Sequence, residues 1–182
     1  MEPTESAVIV AVPEAEAVVG PHRAELDRSA SWGVPAHVTV LYPFVPPSKI
    51  DDRVISALAD ALQPVTAFGI TFARGAWFGD EVVWLAPEPD QPFRELMSVV
   101  SARFPDYPPY GGTHTELIPH LTIGHAVPVE ALRATARAVE PHLPIEACIR
   151  TALVIQGRDA PRSWQTVAVL PLGSPDTDSE QH

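Results

Sequence analysis

The chain has 182 residues and a formal net charge of -11, and 46% of its residues are hydrophobic. This length suits one globular domain or two small lobes that share one core. The acidic balance, without a basic run, argues against tight binding of long RNA or DNA but leaves room for a short nucleotide or one RNA end.

The sequence also predicts the cellular setting. The N-terminus, MEPTESAVIVAV, lacks the basic region and long apolar core of a signal peptide, and no apolar run approaches the ~20 residues of a membrane span. The single cysteine, Cys148, lies in an apolar strand-like stretch, so we expect a buried, inert thiol. We expect a cytoplasmic protein without membrane contact.

Hydrophobic periodicity and turn residues predict alternating short strands and helices. In chain order these are a strand over 7–12, a helix over 14–30, a strand over 37–44, a helix over 49–62, strands over 66–74 and 81–86, a helix over 91–104, a strand over 120–127, a helix over 128–140, and strands over 144–156 and 164–170. Gly20-Pro21 should either kink the first helix or form a turn before it. Ser48 and Asp90 are predicted N-caps, and Gly79-Asp80 predicts a hairpin turn.

In this order the pattern strand, helix, strand, helix, strand occurs twice. We therefore predict an α+β fold with antiparallel sheets flanked by helices, in which two similar lobes form a pseudo-two-fold duplication. A single domain should span residues 1–173, and the polar residues 174–182 should form a disordered tail.

Two short motifs carry the candidate chemistry, one in each half of the chain. They are His37-Val-Thr39-Val and His120-Leu-Thr122-Ile. Side chains alternate along a strand, so each His and its Thr share one face while the intervening apolar residues face the core. A single copy of this pattern is ordinary in a sheet, but packing does not readily explain two copies.

Two imidazoles that face one phosphate can act together as general base and general acid, because free histidine titrates near neutrality. Two threonine hydroxyls can donate hydrogen bonds to the phosphate oxygens and stabilise the developing charge. These four residues therefore predict phosphodiester chemistry without a metal ion. His114, His120 and His125 do not have a standard zinc spacing, and no acidic or thiol partner completes them, so we expect no metal and no cofactor.

The two motifs, together with GVPAHVTVLYPF, YPPYGG and WQTVAVLPLG, resemble the 2H phosphoesterase superfamily over about residues 7 to 173. That superfamily includes cyclic nucleotide phosphodiesterases and bacterial 2′-5′ RNA ligase-like proteins. The resemblance implies a bilobal fold with an active-site cleft between the lobes. It also implies acid–base roles for His37 and His120, and phosphate contacts for Thr39 and Thr122.

Three further residues are candidate substrate contacts. Relatives often carry an arginine or an aromatic residue five positions after each motif histidine, where this chain has Tyr42 and His125. Strict alternation would turn both side chains away from the cleft, so the strands must bend or bulge for them to reach it; otherwise they pack on the far face. Trp77, with Phe78 beside it at the predicted hairpin turn, is a candidate for base stacking or a loop anchor.

We therefore expect a phosphodiesterase that opens 2′,3′-cyclic phosphates, or cleaves 2′-5′ phosphodiesters, of small nucleotides or RNA ends. Ligation of 2′-5′ bonds would use the same residues, and a nucleotide-binding module without turnover is the alternative from another class. The sequence does not distinguish which histidine is the base. We expect a monomer whose partner is the small substrate alone.

Overall fold

In the computed structural model, which describes residues 1–114 and 116–175, eight strands form one curled antiparallel sheet flanked by helices. The strands are β1 (Glu5–Ala11), β2 (His37–Leu41), β3 (Phe68–Phe78), β4 (Val82–Glu88), β5 (Leu121–His125), β6 (Ile145–Ile149), β7 (Thr151–Gly157) and β8 (Gln165–Pro171). The helices are α1 (Glu16–Leu26), α2 (Arg28–Ser31), α3 (Asp52–Leu62), α4 (Gln91–Arg103) and α5 (Val129–Val139). The predicted α+β class is confirmed.

The strand order is β6-β3-β4-β5-β2-β1-β7-β8. The two motif strands, β5 and β2, therefore lie side by side at the centre, with three further strands on each side. Each half of the sheet repeats the same antiparallel pairing outward from its motif strand. This arrangement is the predicted pseudo-two-fold duplication.

The halves of the sheet are not the halves of the chain. β3 follows the first motif along the chain but pairs with β4 and β6 on the side of the second motif. β7 lies near the C-terminus but pairs with β1 at the other end of the sequence. The strands thus cross between the lobes, which local periodicity does not reveal.

The helices cover the face of the sheet opposite to the motif side chains. α1 packs against β5 and α4 packs against β2, so each helix covers the motif strand of the other half. The intervening motif residues Val38 and Leu121 are both fully buried in the main hydrophobic core. Burial of this apolar face leaves the polar face of the two strands open.

The first two helices depart from the prediction. α1 continues through Pro21 and the helical run ends at Asp27, whose carboxylate accepts a hydrogen bond from the Ser29 amide and caps α2. The break lies at Asp27 because its carboxylate competes for backbone donors, an effect that Gly20-Pro21 does not have.

Both predicted N-caps need correction. α3 is capped by Asp51, whose Oδ1 accepts from the amides of Arg53 and Val54, because Ser48 is held in a 3₁₀ turn that begins at Pro47. Asp90 precedes α4 as predicted, but its carboxylate binds Arg94 instead of a backbone amide.

The strand prediction over 144–156 and the burial of Cys148 are also revised. The run forms two strands, β6 and β7, which lie in opposite halves of the sheet. Along β6 the side chains of Ile145, Ala147 and Ile149 point inward, so alternation turns Cys148 outward and exposes it. The expectation of a buried thiol was wrong.

The predicted tail over 174–182 lies, from residue 176 onward, outside the described residues. Within the described ranges, no helix has the length and apolar character needed to cross a membrane.

Candidate active site

The centre of the sheet brings the two motifs together. β2 and β5 are antiparallel, and Val38 lies directly opposite Leu121. Continuing this register by one residue in each direction places His37 opposite Thr122. It also places Thr39 opposite His120. Directly opposed side chains of antiparallel strands have Cβ atoms about 4.5–5.5 Å apart, so the four polar residues form one compact group.

Both motif histidines are held in the same way. The Nδ1 of His37 lies 2.7 Å from the carbonyl oxygen of Pro35, and the Nδ1 of His120 lies 2.7 Å from that of Ile118. Since a carbonyl oxygen only accepts, each Nδ1 carries the hydrogen and each neutral ring leaves Nε2 unprotonated. Nε2 is thus the nitrogen that can take a proton from, or return one to, a bound molecule.

A β-bulge interrupts the first motif strand. Between β1 and β2, Val8 pairs with Leu41 but the next residue, Ile9, pairs with Thr39. Val40, the fourth residue of the motif, is therefore an extra residue without a partner on β1. Such a bulge resets the alternation of side chains along the strand.

The second motif strand has a bulge at the equivalent position. Between β4 and β5, Val83 pairs with Gly124 and Trp84 pairs with Thr122. Ile123, again the fourth residue of the motif, is the extra one. The two bulges bring Tyr42 and His125 back to the motif face, and both line the cavity described next. The bulges that Tyr42 and His125 need to reach the cleft are therefore present, and their contact with a substrate stays a prediction.

A cavity of about 600 Å³ opens on this face. Its lining combines polar and apolar side chains: Thr39, Val40, Tyr42, Phe78, Val82, Met97, Pro109, Tyr110, His114, Glu116, Leu117, Ile118, His120, Thr122 and His125. Among these residues none is Lys or Arg. Unlike Thr39, His120 and Thr122, His37 is not among the lining residues; it is half-buried on β2, opposite Thr122 in the continued register. The volume lies within the range of small-molecule pockets, about 300–1,000 Å³.

Burial favours the neutral form of both histidines. It lowers the pKa of His37 to about 4; the Pro35 carbonyl opposes this shift, whereas the positive charges of Arg23 and His120 contribute to it. Burial also lowers the pKa of His120, against the opposing hydrogen bond to Ile118. The charge of His120 thus influences His37, as expected for two rings at one site.

Two tyrosines border the same cavity. Burial and the nearby Glu5 carboxylate raise the pKa of Tyr42 to about 12, and its hydroxyl donates to Glu5 Oε1 at 3.1 Å. Burial also raises the pKa of Tyr110, although the adjacent Thr39 hydroxyl opposes that shift. Both phenols therefore stay protonated and can donate hydrogen bonds at neutral pH.

Comparison with known proteins assigns the family. The sequence model of the 2′-5′ RNA ligase superfamily matches residues 11–160, a range that contains both motifs. The chain belongs to the 2′-5′ RNA ligase superfamily. The resemblance to 2H phosphoesterases is thereby confirmed. No curated protein matches the sequence of this superfamily member.

Solved structures of similar fold agree with this assignment. E. coli LigT complexed with 3′-AMP has a TM-score of 0.63 at 15% identity, covering 94% of this chain and 99% of LigT. TT0787 of Thermus thermophilus has a TM-score of 0.65 at 15% identity, covering 94% of this chain and 100% of TT0787. A structure described as a phosphoesterase has a TM-score of 0.59 at 13% identity, covering 95% and 100%. At these identities the comparisons establish the fold of this superfamily member.

The structure does not bring Trp77 to the cavity. Its side chain is half-buried against the main core, while the next residue, Phe78, lines the cavity. The Phe78 ring lies 4.6 Å from the Trp84 ring and meets the His120 ring edge-on at 5.0 Å. In this member of the superfamily, Phe78 is the residue of the pair that contacts the site.

Sequence reasoning missed Tyr110 as a site residue and considered His114 only as a metal ligand. Tyr110 adopts a left-handed backbone conformation (φ 51°, ψ 34°), and its amide donates to the Tyr42 carbonyl at 2.7 Å. The His114 ring packs edge-on against Tyr110 at 5.3 Å. The YPPYGG segment, which contains Tyr110, was the feature of the sequence that could have indicated this residue. Within the described residues, no three His, Cys, Asp or Glu side chains come together as a metal site would require.

Proposed function

We propose that this protein is a phosphodiesterase that opens 2′,3′-cyclic phosphates, or cleaves 2′-5′ phosphodiesters, of small nucleotides or RNA ends without a metal ion. The observation that carries the proposal is the antiparallel pairing of the two motif strands at Val38 and Leu121, whose continued register sets His37 beside Thr122 and Thr39 beside His120. Membership of the superfamily supports phosphoester chemistry in general.

In the proposed reaction, one neutral imidazole accepts a proton from water at Nε2 while the water oxygen bonds to phosphorus. The other imidazole, protonated, gives its proton to the departing 2′ or 3′ oxygen as the ester bond breaks. The hydroxyls of Thr39 and Thr122 donate hydrogen bonds to the non-bridging oxygens, whose charge increases in the transition state. Either histidine can be the base, depending on the orientation of the substrate.

The cavity favours a short substrate. Its lining provides hydroxyl, phenol and imidazole donors but, among the described lining residues, no permanently charged cation. Affinity for long nucleic acid depends on many Lys and Arg contacts to phosphates, which the net charge of -11 also disfavours. The solved relative in complex with 3′-AMP is consistent with a nucleotide of this size.

The proposal is tested by incubating the protein with 2′,3′-cyclic AMP and with a 2′-5′-linked dinucleotide in excess EDTA. We expect turnover, and a loss of at least about a hundredfold in kcat for H37A and for H120A, because each removes one acid–base group. H142A is the matched control, since His142 is an exposed histidine outside the cavity.

The same experiment distinguishes the alternatives. Ligation is the reverse of 2′-5′ cleavage, so joining of suitable ends by the same four residues would extend the proposal. Nucleotide binding without turnover of any of these substrates would favour the non-catalytic module. Turnover that depends on added zinc would contradict the metal-free mechanism.

A further inference from the structure

An arginine of α1 holds the segment that precedes the first motif. Arg23 is 2% exposed, and its Nη1 donates to the carbonyl oxygen of Val34 at 3.2 Å. The rest of the guanidinium is held by the Asp27 carboxylate, at 3.0–3.1 Å, and by the Ser29 hydroxyl at 3.1 Å. A buried arginine with this many partners is restricted to one orientation.

An arginine of α4 makes the matching contact before the second motif. The Nη1 of Arg94 donates to the carbonyl oxygen of Leu117 at 3.1 Å, and its Nε binds Asp90 at 2.8 Å. Glu116 lies 3.8 Å away on the exposed side. Arg94 is 34% exposed, so its environment is more open than that of Arg23.

The two contacts occupy the same place relative to each motif. Val34 and Leu117 are both three residues before the motif histidine. In each case the next carbonyl along the chain, that of Pro35 or Ile118, is the acceptor for the histidine Nδ1–H. At both motifs, therefore, an arginine binds one backbone carbonyl and the motif histidine binds the carbonyl of the following residue.

The backbone between the carbonyl bound by the arginine and the carbonyl bound by the histidine has little rotational freedom. In the first motif, the ring of Pro35 locks its φ, and the amide of Ala36 donates to Glu16 Oε1 at 2.6 Å, so the peptide unit that carries the Pro35 carbonyl is held on both sides. In the second motif, Pro119 replaces Ala36 and restricts the backbone of Ile118 directly. The prolines thus stand one residue apart in the two motif flanks, yet each restricts the backbone that carries an acceptor carbonyl.

We propose that Arg23 and Arg94 are paired positioning residues that, through the backbone carbonyls they hold, keep the two motif histidines in the Nδ1–H tautomer. The importance of this tautomer for turnover rests on the proposed function, whereas its dependence on the arginines does not. Without the arginine, the backbone before the motif loses one of the contacts that hold the carbonyl acceptor in place, and the imidazole gains access to the Nε2–H tautomer, whose Nε2 cannot accept the proton from water.

The test measures the tautomers directly. In ¹⁵N-labelled protein at a pH above both histidine pKa values, long-range ¹H–¹⁵N correlations distinguish Nδ1–H from Nε2–H rings, and H37N and H120N assign the signals. We expect Nδ1–H rings at both positions in the unmodified protein. R94Q should shift His120 towards Nε2–H and leave His37 unchanged, and R23Q should do the opposite.

Activity gives a second readout on the same variants. We expect kcat to fall by about tenfold to a hundredfold, the range found when groups that orient a functional histidine are removed, with a smaller change in KM. R133Q is the matched control, because Arg133 is an exposed arginine of α5 whose partner is Glu130. It should leave both tautomers and kcat unchanged.

Because Arg23 is buried, R23Q is measured together with R23K, which keeps a donor and should retain more of the Nδ1–H form. If neither Arg23 variant folds, the R94Q variant of the partly exposed Arg94 tests the proposal. Unchanged His120 tautomers in folded R94Q would overturn the proposal, whatever its activity. If the arginine variants alter the tautomers but the unmodified protein turns over no substrate, the arginine proposal is supported and the proposed function is contradicted instead.

Discussion

Val38 and Leu121 face each other across the two central strands, and this pair of buried residues sets the register of the four polar residues beside them. The apolar residues are buried under α1 and α4, and a slip of one residue would turn them towards the cavity. The position of the polar group therefore depends on the hydrophobic core behind it.

The two threonines should contribute to the rate as hydrogen-bond donors. Thr39→Val and Thr122→Val keep the shape of the side chain and remove the hydroxyl, so we expect kcat to fall on the order of a hundredfold in each. Steady-state kinetics with 2′,3′-cyclic AMP measures the effect. T135V provides the control, since Thr135 is a buried threonine of α5 outside the cavity. Full activity in both motif variants would remove the threonines from the mechanism.

The pH dependence of kcat/KM should be displaced towards acid. One histidine must be neutral and the other protonated, and burial lowers the pKa of both below the usual 6.5. In the free protein we therefore expect kcat/KM to peak below about pH 6.5 and to fall by about tenfold per pH unit at higher pH, as the acid loses its proton. A maximum above pH 7 would contradict these assignments.

Protonation of His37 should couple stability to pH. The unfolded ring takes up its proton near pH 6.5, but the folded ring does so only near pH 4. Between these values the unfolded state binds more protons, so the free energy of unfolding should fall as the pH falls, by at most about 3 kcal/mol from this group. Denaturant unfolding of the unmodified protein and of H37N over this range isolates the contribution. Parallel profiles would show that His37 does not titrate this way.

Gly124, next to the second bulge, should not tolerate a side chain because two leucine side chains pack closely against it. A Cβ there would lie 2.7 Å from Leu132 Cδ2 and 3.1 Å from Leu26 Cβ, so we expect G124A to lower the free energy of unfolding by about 1–3 kcal/mol. G75A is the control, since a Cβ at Gly75 meets only the Trp84 carbonyl at 3.9 Å. Equal melting temperatures for the two variants would refute this expectation.

The sequence predicted the elements and the motifs because both depend on local patterns. The alternation within each motif was enough to place His37 with Thr39, and His120 with Thr122, on one face. Alternation did not predict that the two motif strands are neighbours in the sheet, because pairing between distant strands leaves no local pattern in the sequence.

Side-chain contacts across the chain were less accessible still. The contact of Arg23 with the Val34 carbonyl and that of Arg94 with Leu117 depend on how the helices dock, which periodicity does not encode. Tyr110 reaches the cavity through a left-handed turn in a loop without regular spacing. The exposure of Cys148, by contrast, follows from alternation along β6, so the signal was present.

The crossing of β3 and β7 has a consequence for folding. A chain cut in the turn between β3 and β4 would give an N-terminal fragment in which β3 has lost both neighbours, and a C-terminal fragment in which β6 has none. Neither piece would hold a complete sheet, and only their recombination would restore the face that carries both motifs. We therefore expect the two halves of the sheet to fold only together.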